Sequence, residues 1–134
     1  NDQTPGRYDQ DLRFGSANPK AAFWLVKFLE DVGYQGSRHF DAHAYRTEDY
    51  EGVKDFARGC MRTYLILKDK AERWNNNEEI RDILAEIGAT NGNGRLGDFD
   101  TLLADEFDRT QLSSKGLKYE RLDQLTIDIL LGVD

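Results

Sequence analysis

The sequence is poor in several residue types, and each shortage excludes a class of protein. There is one cysteine, Cys60, among 134 residues, which excludes an internal disulfide and a thiolate metal cluster and favours an intracellular, cytoplasmic protein. Basic side chains are outnumbered, because 18 Lys and Arg against 25 Asp and Glu give a net charge of −7. That excess of acid opposes nucleic-acid binding. No apolar run approaches the roughly 20 residues of a membrane span, so no membrane partner is expected.

Apolar residues recur at helical spacing in several segments. The first helix is predicted to begin at Asn18 and Pro19 and to end at Gly33, with an apolar stripe of Ala22, Leu25, Val26, Leu29 and Val32. Trp24 and Phe28 lie off this stripe, which predicts a helix covered on two sides. The longest helix is predicted from Asp49 to Trp74, capped within Thr47 to Asp49, with a stripe of Val53, Phe56, Ala57, Cys60, Tyr64, Leu67, Ala71 and Trp74.

The second half of the chain is predicted to be an arm of short helices. One runs from Glu78 to Ile87 with Ile80, Ile83, Leu84 and Ile87 on one side, and the last runs from Tyr119 to Leu131 with Leu122, Leu125, Ile129 and Leu130. Apolar residues between Phe99 and Phe107 predict further helical turns. The segment around Gly92 and Gly94 is interpreted as a linker, since it lacks the lysine and the strand of a phosphate-binding loop.

One strand is predicted, over Arg38–Ala42, with Phe40 facing one way and His39 and Asp41 the other. A single strand cannot satisfy its own backbone hydrogen bonds, so its partners are expected outside this chain. The order of loop, helix, strand and helix predicts an α/β fold, the carboxyl-terminal part of a (β/α)8 TIM barrel. Residues 1–75 are assigned to the barrel, and residues 76–134 to an extended helical arm.

Three carboxylates are the candidate metal ligands. Asp9 and Asp11 lie two residues apart in the loop-like first 18 residues, so they can face the same way in an extended segment, and Asp41 lies near the end of the predicted strand. Carboxylates without thiolates suit Mg²⁺ or Mn²⁺. The alternative is that Asp9 and Asp11 form a solvated acidic turn. His39 and His43 are interpreted as a strand histidine and a surface residue, and Cys60 as a buried small apolar residue.

Several strings of residues occur together, in order, along most of the chain: Arg7 to Gly15 (RYDQDLRFG), Ala21 to Val26 (AAFWLV), Gly36 to Asp41 (GSRHFD), Arg46 to Asp49 (RTED), Gly59 to Arg62 (GCMR) and Glu120 to Leu125 (ERLDQL). In this combination the chain resembles the carboxyl-terminal portion of xylose isomerase, also called glucose isomerase, of the actinobacterial type. The stretch from Gly88 to Ser114 departs most from that family.

The resemblance implies a TIM barrel followed by a helical arm that wraps a neighbouring subunit in a homotetramer. It also implies two divalent cations, Mg²⁺ or else Mn²⁺ or Co²⁺, and interconversion of D-xylose and D-xylulose, and of D-glucose and D-fructose, by a hydride shift. By position, Asp41 resembles a ligand of the ion that holds the sugar oxygens. Asp9 and Asp11 resemble ligands of the second ion, which moves during the shift, and this makes Asp11 the candidate catalytic residue.

The resemblance also has a gap and a departure. His43 stands where the family usually has a lysine, which changes the charge beside Asp11. The other metal ligands and the walls of the sugar site belong to the amino-terminal part of such an enzyme, which is therefore the expected partner. We expect the chain alone to be inactive and poorly folded, because its strand lacks partners. The alternative from another class is a non-catalytic helical interaction module whose acidic loop is merely solvated.

Overall fold

The computed structural model describes residues 12–41, 49–87 and 109–133, with side chains from 116 onward in the last range. These residues form four helices and no strand: α1 (Pro19–Asp31), α2 (Tyr50–Asn76), α3 (Glu78–Ile87) and α4 (Arg109–Leu131). The chain divides into two compact units, Asn1–Ala71 and Glu72–Asp134, with the boundary inside α2. Among the described helices, none combines the length and the apolar character that a membrane crossing requires.

α1 begins and ends where the sequence predicts. The side chain of Asn18 accepts a hydrogen bond from the Ala21 N–H at 2.9 Å, and Pro19 occupies the first turn. Gly33 follows the helix with φ of 69°, a left-handed conformation that only a residue without Cβ adopts at low cost. The local signals at both helix ends are therefore confirmed.

The faces of α1 are distributed differently from the prediction. Ala22, Phe23 and Val26 are buried, but Leu25 and Val32 of the predicted stripe are 53% and 59% exposed. Periodicity finds the apolar positions of a helix but does not say which side is covered. Trp24 and Phe28 are also exposed, so the described part of the unit covers only one side. The outer face of α1 is defined here as Trp24, Leu25, Phe28 and Val32.

α2 is capped by Asp49, whose carboxylate accepts a hydrogen bond from the Gly52 N–H at 2.7 Å. Its buried stripe advances in steps of three and four through Cys60, Tyr64, Leu67, Ala71 and Trp74, as predicted. Cys60 is 1% exposed, which confirms its interpretation as a small buried residue. Toward the amino end the prediction is wrong, because Val53 is exposed. Thr47 and Glu48 lie outside the described residues.

The strand predicted over Arg38–Ala42 is not formed in its described part, Arg38–Asp41. The physical reason is the one that the sequence raised: a strand needs a partner for its backbone hydrogen bonds, and the described residues offer none. The helical part of the expected fold is thus confirmed. The barrel assignment, with its division at residue 75, stays a prediction.

The second unit contains all of α3 and α4 together with the carboxyl-terminal end of α2. Asn77 caps α3 through a hydrogen bond from the Ile80 N–H at 3.0 Å, and the four predicted apolar residues of α3 are all buried. α4 begins ten residues before the prediction, because Ser113, Ser114 and Gly116 obscure the helical pattern there.

A buried polar contact in this unit was not predicted. The Trp74 indole Nε1–H donates to the Thr126 hydroxyl at 3.0 Å, and that hydroxyl donates to the Leu122 carbonyl at 2.8 Å. Thr126 is 0% exposed, so the two bonds satisfy a hydroxyl that would otherwise be costly to bury. The contact ties α2 to α4 within the unit.

Candidate functional site

Of the predicted metal ligands, only Asp41 lies within the described residues. Its side chain is exposed, and His39 two residues earlier is exposed as well. Asp9, Asp11 and His43 lie outside the described residues. Within the described ranges no group of three or more His, Cys, Asp or Glu side chains comes together. The complete set of metal ligands therefore stays a prediction.

The segment that leads to Asp41 alternates in the way predicted for it. Arg38 and Phe40 are half-buried, whereas His39 and Asp41 are exposed. The Phe40 ring packs against Phe14 with centroids 5.4 Å apart and against Tyr64 at 6.5 Å. In extended backbone, residues two apart face the same side. Phe40 thus fixes one side of the segment on α2 and leaves Asp41 on the other.

Arg38 is the centre of a polar network that joins this segment to both helices of the unit. Its Nε–H donates to the Tyr64 hydroxyl at 2.9 Å, and Nη2 donates to Glu30 Oε1 at 3.2 Å. Two further donations go to backbone carbonyls, from Nη1 to Gly36 at 2.7 Å and from Nη2 to Tyr34 at 2.9 Å. Four of the five guanidinium N–H groups therefore have partners, which fixes the orientation of the side chain.

Glu30 closes the network from α1. Its Oε1 accepts from the Tyr64 hydroxyl at 2.6 Å, and its Oε2 pairs with Lys68 Nζ at 2.9 Å. Burial raises the pKa of the Glu30 carboxyl, but the hydrogen bonds from Tyr64 and Lys68, with the charges of Lys68 and Arg38, outweigh it. The net pKa of Glu30 lies below its ordinary value, so this group is an anion near neutral pH.

The pKa values of the other members of the network are shifted in directions that agree with these contacts. Burial and the hydrogen bond to Glu30 raise the pKa of the Tyr64 phenol, and the hydrogen bond to Tyr64 raises the pKa of Arg38. The hydrogen bond to Glu30 raises the pKa of Lys68. Arg38 and Lys68 are therefore cations and Tyr64 is neutral near pH 7, the states that the observed donors and acceptors require.

The position of Asp41 suits a hard cation. An exposed carboxylate on a segment anchored from its opposite side supplies oxygen ligands of the kind that Mg²⁺ and Mn²⁺ take. A hollow of about 290 Å³ beside the segment is lined by residues that include His39, Asp41, Leu25 and Leu29. One carboxylate does not complete a site, so a metal site at Asp41 stays a prediction.

Reasoning from sequence missed Glu30, Arg38 and Tyr64 as a group. Tyr64 was predicted only as a member of an apolar stripe, and Arg38 only as a strand residue. The three lie far apart along the chain, 26 residues between Arg38 and Tyr64 and 34 between Glu30 and Tyr64. The predicted alternation of the segment contained a signal, because it places Arg38 on the side opposite Asp41. It does not identify the partner of the guanidinium.

Comparison with known proteins gives relatives along nearly the whole chain. No family model matches the chain. The sequence is 52% identical to a xylose isomerase of Thermus thermophilus and 50% identical to one of Thermus caldophilus, each match covering 99% of this chain and 36% of the relative. A xylose isomerase of Streptomyces lividans is 42% identical, over 98% of this chain and 35% of the relative.

The chain thus spans about a third of the length of the curated relatives that it matches. The match lies in their carboxyl-terminal portion, which confirms the resemblance drawn from the motifs.

Proposed function

We propose that this chain, which matches the carboxyl-terminal portion of xylose isomerases, is part of a metal-dependent aldose–ketose isomerase. The reaction is the interconversion of D-xylose and D-xylulose, and of D-glucose and D-fructose. The observation that carries the proposal is identity of 42% to 52% across 98% to 99% of the chain. Identity of this level along the whole chain favours a shared fold and a shared role of the matching residues.

The amino-terminal part of such an enzyme, which the matched relatives contain beyond the region of similarity, is the proposed partner. The outer face of α1 exposes Trp24, Leu25, Phe28 and Val32 along one helix, and contiguous exposed apolar residues mark surfaces that another protein element covers. We assign that element to the amino-terminal part of the enzyme, whose strands would pair with Arg38–Ala42 and close the TIM barrel. In the same proposal residues 76–134 form the arm of a homotetramer.

Asp9, Asp11 and Asp41 are the residues of this chain proposed to hold two divalent cations, Mg²⁺ or in its place Mn²⁺ or Co²⁺. When bound, such cations supply Lewis-acid polarisation of the sugar oxygens. The remaining ligands belong to the amino-terminal part. His43, where the family usually has a lysine, would leave the neighbourhood of Asp11 less positive near neutral pH.

The proposed chemistry needs no external oxidant or reductant. A hydrogen moves with its electron pair from C2 to C1 of the open-chain sugar, while a proton passes from O2 to O1, so an aldose becomes a ketose. This chain would contribute Asp41 as a ligand of the cation that holds the sugar oxygens, and Asp9 and Asp11 as ligands of the second cation. Asp11 is the proposed catalytic residue for the proton step.

The test uses a chimera that supplies the missing part. The amino-terminal part of the Thermus thermophilus relative, up to the start of the similarity, is joined to Asn1 of this chain. We expect the chimera to form xylulose from xylose with Mg²⁺, and this chain alone to form none. A chimera that folds and assembles like the relative but has no turnover would contradict the proposal. Turnover by the isolated chain would contradict the need for a partner.

A further inference from the structure

The segment that carries Asp41 is joined to both helices of the unit by three hydrogen-bonded residues, defined here as the clamp. They are Arg38 on the segment, Glu30 on α1 and Tyr64 on α2. The Arg38 and Glu30 side chains are 27% and 22% exposed, and Tyr64 is 8% exposed. The Tyr64 hydroxyl stands at the centre, since it accepts from Arg38 and donates to Glu30. Both helices of the unit therefore supply a hydrogen-bond acceptor for the Arg38 guanidinium.

The geometry of the clamp restricts the backbone as well as the side chain. Two N–H groups of Arg38 donate to the carbonyls of Tyr34 and Gly36, in the turn that precedes the segment. The guanidinium also lies over the Tyr34 ring at 5.1 Å and over the Tyr64 ring at 5.6 Å from the centroids. A planar group with four donations and two ring contacts has little freedom to rotate or shift.

Phe40 adds a second anchor on the same tyrosine. Because Arg38 and Phe40 both contact Tyr64, the backbone between them is fixed at two points two residues apart. Asp41 follows directly, with its side chain on the exposed side. The clamp and Phe40 therefore restrict the backbone up to the residue directly before Asp41.

We infer that Arg38 and Tyr64 are positioning residues, which set the location of the Asp41 carboxylate and thereby the affinity of the site for a divalent cation. The inference rests on the proposed function, since it takes Asp41 to be a ligand. It gives these two residues a role that acts through the backbone of the segment rather than as ligands. Groups that hydrogen-bond metal ligands typically change metal affinity about 10- to 100-fold when they are removed, and groups that act through the backbone are expected at the lower end of this range.

The experiment measures Mn²⁺ binding by calorimetric titration of the chimera and its variants, without sugar, and compares the dissociation constant of the site that Asp41→Asn removes. Tyr64→Phe keeps the ring against Phe40 and removes only the hydroxyl. Arg38→Lys keeps the charge but loses the planar fork that reaches four acceptors. We expect Mn²⁺ binding about 10-fold weaker in each variant.

The matched control is Arg121→Lys, which changes another arginine that pairs with a glutamate, Glu79, at 2.7 Å and 3.0 Å in the second unit. It should bind Mn²⁺ as the unmodified chimera does. Unchanged Mn²⁺ affinity in both clamp variants, even with lowered melting temperatures, would overturn the inference and leave the clamp a purely stabilising feature. An unmodified chimera that binds no Mn²⁺ would instead overturn the proposed metal site itself.

Discussion

The buried bond between Trp74 and Thr126 gives a prediction whose magnitude follows from the structure. Thr126→Val keeps the shape of the side chain and removes the hydroxyl. The Trp74 indole N–H, in a side chain that is 3% exposed, then loses this acceptor. Removal of the acceptor from a buried donor costs about 1–3 kcal/mol, and the added methyl group recovers part of this, so we expect a net loss of about 1–2 kcal/mol in unfolding free energy.

Urea unfolding of the chain measures this loss. A Trp24→Phe background leaves Trp74 as the one tryptophan, because the sequence has two, and its emission reports on the second unit. That unit contains no part of the predicted strand, so the reason given for poor folding of the isolated chain does not apply to it. With an m-value of about 2 kcal/mol per molar urea, the middle of the usual range, the midpoint should fall by about 0.5–1 M.

Companion variants separate the hydrogen bond from packing. Thr126→Ser loses one methyl group, which costs about 1 kcal/mol. It keeps the hydroxyl that accepts the hydrogen bond from the Trp74 indole N–H. The single variant Trp74→Phe and the double variant Trp74→Phe with Thr126→Val complete a cycle, with an expected coupling of about 1 kcal/mol. Because these two variants lack the reporting tryptophan, all four members of the cycle are followed by the far-ultraviolet circular dichroism of the helices. A midpoint for Thr126→Val equal to or above that of the parent, with coupling near zero, would refute the reasoning.

Three further predictions follow from the first unit and the proposed site. The pKa of Glu30 lies below its ordinary value of 4.5 in the folded state, so its stabilising contribution is present above about pH 4.5 and is lost as the pH falls through the lowered folded value. In Glu30→Gln the melting temperature of the chimera should therefore fall less steeply with decreasing pH in this range. Gly15→Ala should destabilise the chimera by about 2–3 kcal/mol and Gly33→Ala by about 1 kcal/mol. Both glycines have positive φ, but of the two only Gly15 would bring its Cβ against Thr63, at 2.9 Å. Equal losses of unfolding free energy in denaturation experiments would argue against this steric explanation. Asp11→Asn in the chimera should abolish most isomerase turnover while xylose still binds, as measured by assay and by equilibrium dialysis, and unchanged turnover would remove Asp11 from the mechanism.

Local features of the fold were predictable because their causes are local. The cap at Asn18, the stop at Gly33 and the buried side of α3 each depend on residues within a few positions of one another. The amino end of α4 was not predictable in this way, since Gly116 and the serines before it weaken the helical pattern.

The contacts that organise the units were beyond local reasoning. Trp74 and Thr126 are 52 residues apart, and a period of 3.6 residues shows only that each lies on a helix. The same holds for Arg38 and Tyr64. The exposed side of α1 was predicted as apolar but not as uncovered, because periodicity does not report the neighbours of a helix.

The candidate site was predicted at Asp41 and in the alternation of the residues around it. Its position on an anchored segment follows from Phe40 and Arg38, whose partners on α1 and α2 are distant in sequence. Asp9 and Asp11 rest on the resemblance to xylose isomerases, which the relatives support along 98% to 99% of the chain.

The most direct test of the account is xylulose formation by the chimera of the Thermus thermophilus amino-terminal part and this chain. The assay compares the chimera with each part alone, before and after a chelator removes divalent cations. The account predicts turnover by the chimera only, lost with the chelator and restored by Mg²⁺. A chimera that assembles like the complete relative, yet forms no xylulose at any Mg²⁺ concentration, would contradict the account.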